Sequence, residues 1–121
     1  MSSCFHVLII DDDTVSTEVL SSSLSRLGCK TTVRETAEEG VECLKENSFD
    51  AVFAALCVRK MGGRAVAREV KKESESTKFF LITGWKGELE ASLLNYDGIH
   101  DIIRKPFNFG DIRDKVLEHL G

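Results

Sequence analysis

Residues 7–13 read Val7-Leu8-Ile9-Ile10-Asp11-Asp12-Asp13, four aliphatic side chains set directly against three carboxylates. With Phe5 and His6 ahead of it, the stretch 5–10 is a short, nearly continuous apolar run, the pattern of a strand buried on both faces. Three adjacent acids repel one another, so a cation or a set of structured donors must offset their crowding.

The same alternation of apolar run and amphipathic stretch repeats along the chain. Val15, Val19, Leu20, Leu24 and Leu27 recur at helical spacing, and Gly28 is placed to end that helix. KTTVR (30–34) is rich in β-branched residues and reads as a second strand. Residues 36–47 read as a helix, with Thr36 and Glu39 as a capping box and Ala37, Val41 and Leu44 inward. AVFAAL (51–56) is a third strand, 57–63 a loop and 64–73 a third helix. KFFLIT (78–83) is the fourth strand, followed by a helix over 87–96 with Leu89, Leu93 and Leu94 inward. GIHDIIR (98–104) is less apolar and reads as an edge strand. Asn108 caps a last helix whose Phe109, Ile112, Val116 and Leu120 face the core.

Five rounds of strand then helix predict an α/β fold: a doubly wound parallel sheet with helices on both faces. Right-handed crossovers restrict it to a few strand orders. The 121 residues suffice for one domain, taken as 1–121, around one hydrophobic core. A net charge of −4 with scattered basic residues gives no electrostatic reason to bind nucleic acid. No apolar run approaches the roughly 20 residues a membrane span needs, and the N-terminus lacks signal-peptide character. Cys4, Cys29, Cys43 and Cys57 form no metal-like spacing and read as reduced thiols of a cytoplasmic protein.

In such sheets ligand sites lie at the carboxyl ends of the strands. Asp11, Asp12 and Asp13 follow the first strand, Thr83 ends the fourth, and Lys105-Pro106 follows the fifth. Carboxylates opposite a lysine suit a hard divalent cation, and a hydroxyl with an ammonium suits phosphoryl oxygens. The simpler reading of Asp13 is a cap on the first helix. Arg59 or Lys60 folding over the acids would neutralise them without metal. Trp85 lies just past this edge, as a contact residue or a plain loop residue. His6, His100 and His119 are dispersed and are assigned no chemistry.

On IIDDD, LITG and RKPF in this order, the chain resembles the receiver domains of two-component response regulators, the CheY-like superfamily, over essentially its whole length. The resemblance implies a flavodoxin-like five-stranded sheet of order 2-1-3-4-5 that works as a phosphorylation switch. It implies magnesium held by Asp11, Asp12 and the backbone carbonyl of Cys57, phosphoryl contacts from Thr83 and Lys105, a switch position at Ile102, and a commonly cis bond before Pro106. The family's phospho-acceptor aspartate falls on Ala55, which has no oxygen to phosphorylate and supplies no metal ligand. Asp50 cannot replace it: five residues of strand place it roughly 16 Å away. Arg59 stands where the family has proline, Gly62-Gly63 where it has Asp-Gly, and Ile102 where it has an aromatic residue.

These departures lead us to expect a non-enzymatic, atypical receiver that is silent to phosphorylation and acts through protein–protein binding, with magnesium affinity weakened. The implied partners are a sensor histidine kinase or a downstream effector. A homodimer would form through the surface of the 87–96 helix, the fifth strand and the last helix. The alternative is an ordinary magnesium-dependent phosphorelay receiver in which alanine has replaced a native acceptor. A small flavodoxin-like enzyme is the minor alternative. IIDDDTVS argues against it, because it lacks the glycines or donors of a phosphate-binding first loop.

Overall fold

Apolar side chains on both faces of each inner strand dictate a sheet sandwiched between helices. The structure, a computed structural model, describes residues 5–55, 62–84 and 98–121. Its strands are β1 (His6–Ile10), β2 (Lys30–Arg34), β3 (Ala51–Ala55), β4 (Lys78–Thr83) and β5 (Asp101–Arg104). All pair in parallel, in the order β2-β1-β3-β4-β5, as expected. The described helices are α1 (Thr14–Arg26), α2 (Ala37–Glu46), α3 (Gly63–Glu73) and α4 (Phe109–His119). The helix expected over 87–96 lies outside the described residues.

Alternation along the strands divides the core in two. Leu8, Ile10, Val52, Phe79 and Leu81 join α2 and α3 on one face. Val7, Ile9, Phe53, Phe80 and Ile82 meet Leu20, Leu24, Ile112 and Val116 of α1 and α4 on the other. Phe53 and Phe80, register neighbours, stack with centroids 4.5 Å apart. Cys29 and Cys43 are buried, whereas Cys4 and Cys57 lie outside the described residues.

Each helix has a local reason for its limits. Asp13 caps α1, and Gly28 (φ +85°) lets the chain leave it in the left-handed region. Thr36 accepts the Glu39 N–H at α2, and Asn108 with Asp111 completes a capping box at α4. The inner stripes differ in detail from the sequence reading. Val15 is 70% exposed, because the buried stripe of α1 is centred on Ser16, Leu20 and Leu24, one residue round the helix. In α2, Gly40 is the buried residue and Val41 sits at the flank, since any Cβ at Gly40 would meet the Ile10 side chain. Strand β5 begins at Asp101 rather than at residue 98. Gly98 (φ +92°) passes over α3 so closely that a Cβ there would lie 2.9 Å from the Ala67 carbonyl oxygen.

Candidate functional site

Register brings the expected residues to one edge. Ile10 pairs with Ala54, so Asp11 and Ala55 are the next residues of neighbouring strands. Ala55 pairs with Ile82, Thr83 pairs with Arg104, and the Lys105 N–H donates to the Thr83 carbonyl at 2.8 Å. With strands roughly 4.8 Å apart, Asp11, Ala55, Thr83 and Lys105 line one short row. Asp50 stands at the other end of β3, its Oδ2 accepting the His6 N–H at 2.8 Å. Cys57, Arg59, Lys60 and Trp85 lie outside the described residues.

The three acids diverge as soon as β1 ends. Asp11 is 2% exposed and points inward, Asp12 is exposed, and Asp13 turns back to cap α1. Asp13 Oδ1 accepts the Val15 N–H at 3.1 Å, and its Oδ2 accepts the Ser16 hydroxyl at 2.9 Å. Lys105 Nζ then lies 3.1 Å from Asp13 Oδ2 and 3.2 Å from Asp11 Oδ2. The ammonium thus bridges Asp11 and Asp13. The reason is the cap: it holds the Asp13 carboxylate beside the buried Asp11, while Asp12 faces solvent.

These contacts set the local protonation. The Lys105 and Ser16 hydrogen bonds hold the Asp13 carboxyl below its usual value. Burial lowers the Lys105 value, but the Asp13 hydrogen bond and the neighbouring Asp11 carboxylate outweigh it and hold the ammonium above its ordinary range. Asp11 Oδ1 accepts the Asp13 N–H at 3.1 Å, whereas buried Oδ2 faces Lys105 at ion-pair distance without hydrogen-bond geometry. An oxygen so placed is short of donors, and carboxylates at Asp11 and Asp12 match the oxygen preference of magnesium. The residues present therefore fit a hard divalent cation.

Neighbouring glycines show why the edge is tight. A Cβ at Gly63 would strike the Ala55 carbonyl oxygen and lie 2.7 Å from Leu81 Cδ1. Gly63 at the start of α3 thus permits the helix to sit against the end of β3. Ile102 is buried, paired with Leu81. The Lys105-Pro106 bond is cis.

Two features escaped the sequence. The first is the ion pair of Asp13, whose only signal was the Asp-x-x-Ser capping spacing. The second is a pairing of His119 with Asp101 at 2.9 Å, for which no local signal exists.

The chain matches the response regulator receiver domain family over residues 7–117. It is 26% identical over 118 residues to transcription factor SKN7 of Saccharomyces cerevisiae, covering 96% of this chain and 19% of that protein. It is 28% identical over 114 residues to a cyclic di-GMP phosphodiesterase of Thermotoga maritima, covering 94% and 30%. The chain therefore spans about a fifth of the first relative and under a third of the second. Among solved structures, the chemotaxis response regulator CheY4 of Vibrio cholerae superposes with a TM-score of 0.90 at 18% identity, over 98% of this chain and all of that one. A family match across nearly the whole chain, on a sheet of the same fold with acids and a lysine at the ends of its strands, means that the protein belongs to the response regulator receiver domain family.

Proposed function

We propose that this receiver is silent to phosphorylation and signals by binding other proteins rather than by catalysis. The observation that carries the reading is the row Asp11, Ala55, Thr83, Lys105. At the end of β3, where an acceptor carboxylate would face Asp11, there is a methyl group. The ammonium that would meet a phosphoryl group is held by Asp11 and Asp13.

Asp11, Asp12 and the Cys57 carbonyl would hold magnesium, with lower affinity than a site that keeps the third carboxylate. When bound, the ion would neutralise the acids and would compete with Lys105 for Asp11. Thr83 and Lys105 keep the phosphoryl-contact positions without an acceptor to serve, and Ile102 keeps the switch position without an aromatic ring. The partners are a sensor histidine kinase or a downstream effector, with a second copy of the chain meeting the surface that includes β5 and α4. The net charge of −4 favours protein partners over nucleic acid. We place it in the cytoplasm; among the described residues no helix is long and apolar enough to cross a membrane.

The test is incubation with acetyl phosphate and magnesium followed by intact mass measurement. The expected result is no gain on this chain and a gain of one phosphoryl group on Ala55→Asp. A phosphoryl group on the unaltered chain would overturn the reading.

A further inference from the structure

Away from the acidic edge, the start of β5 and the last turn of α4 bring a second group of ionisable side chains together. His119 Nε2 lies 2.9 Å from Asp101 Oδ2 and 3.8 Å from Glu118 Oε2, and these three ligand atoms all fall within 4.8 Å of one another. Two carboxylate oxygens and one imidazole nitrogen are a ligand set suited to zinc and its neighbours in the first transition row. In tetrahedral zinc with bonds of roughly 2.0–2.1 Å, adjacent ligand atoms stand about 3.3 Å apart. The observed 2.9 and 3.8 Å straddle that spacing, so small side-chain rotations suffice.

The surroundings hold two of the three ligands in place. Asp101 Oδ1 accepts the Ile102 N–H at 2.8 Å and the Lys115 ammonium at 3.0 Å, which leaves Oδ2 turned toward His119. The imidazole is packed edge-on against the Phe80 ring, with centroids 5.1 Å apart. Asp101 and His119 are 16% and 18% exposed, while Glu118 is 64% exposed and free to swing in from solvent. Partner contacts that orient ligands in this way are the usual support of protein metal sites. Lys115 opposes a cation. Even so, with a neutral imidazole the four side chains sum to one negative charge, which a divalent ion reverses rather than compounds.

We propose that Asp101, Glu118 and His119 form a binding site for a borderline divalent transition ion such as zinc, separate from the oxygen-only acidic edge. Bound metal would sit between His119 Nε2 and Asp101 Oδ2 and tie α4 to β5.

The test is calorimetric titration of the full chain with zinc chloride, with cobalt chloride absorbance to report the ligand type. One equivalent should bind, and cobalt should give visible bands without thiolate charge-transfer absorption. His119→Gln should weaken zinc at least about tenfold. Glu118→Gln, at an exposed position that cannot unfold the chain, should weaken it measurably. Absence of binding, binding by His119→Gln and Glu118→Gln as tight as that of the unaltered chain, or a thiolate band in the cobalt complex would each overturn the site.

Discussion

Lys105 Nζ stands 3.2 Å from Oδ2 of Asp11, a carboxylate that is only 2% exposed and lies at the end of a different strand. The same ammonium reaches Asp13 at 3.1 Å, so one cation serves the buried acid and the helix cap. The three acids after β1 are tolerated through this bridge, the α1 cap and the exposure of Asp12.

Removing the bridge should be costly. Lys105→Met leaves Asp11 buried and charged without its counter-ion, and stability should fall by about 2–3 kcal/mol. Asp13→Asn keeps a good cap and loses only a half-exposed ion pair, for about 0.5–1 kcal/mol. Urea denaturation of the two variants checks the order. Equal losses would mean that Asp11 does not depend on Lys105.

Stability should decline on both sides of a neutral plateau. Asp13 has a folded value below its unfolded one, so its contribution is full above about pH 4 and is lost as pH falls through the folded value. Lys105 has a raised value, so its contribution is full below about pH 10 and is lost as pH rises through the folded value. Thermal melts of Asp13→Asn should show a shallower acid decline than those of the unaltered chain.

His100 adds a step at milder acidity. Its Nδ1 accepts the Phe79 N–H at 3.0 Å, and burial, with Lys78 and His119 nearby, holds its value below the ordinary one. The unfolded chain therefore binds the proton more readily. Stability is full above about pH 6.5 and falls as pH drops below it. His100→Asn should remove that step from a series of melts between pH 7 and 5.

Ala55→Asp should destabilise the chain when magnesium is absent. The new carboxylate would sit next to Asp11 in the sheet register, where like charges repel in poor solvent, for a cost of about 1–3 kcal/mol. Magnesium should recover part of that loss and raise the melting temperature of the variant more than that of the parent. Identical responses of the two proteins to magnesium would place the cation elsewhere.

Gly63→Ala should destabilise by about 2–3 kcal/mol, because the added methyl meets the Ala55 backbone carbonyl, which cannot move aside. Gly40→Ala should cost less, since its obstacle is the Ile10 side chain rather than backbone. Chemical denaturation of both variants tests the ranking.

Much of this was legible in advance. The strands 30–34 and 78–83 begin and end where their β-branched and apolar residues do, and Gly28 and Asn108 mark helix limits by backbone and capping chemistry alone. The inner stripe of α1 was legible at Leu20 and Leu24, with Val19 and Leu27 packed beside them, but not at Ser16, Thr17 and Ser23, because apolar periodicity cannot register polar residues buried at a helix interface. Gly40 and Gly63 were equally silent, since close approach between elements leaves no mark in a local pattern.

The amino-acid order by itself determined the alternating elements, the parallel sheet, the location of the site at the strand ends and the absence of a carboxylate at residue 55, because each follows from local spacing or residue identity. Only the tertiary structure decided which acid Lys105 meets and that His119 reaches Asp101. Those pairs join positions 92 and 18 residues apart, and their geometry is set by a helix cap and by strand register, which act across the fold.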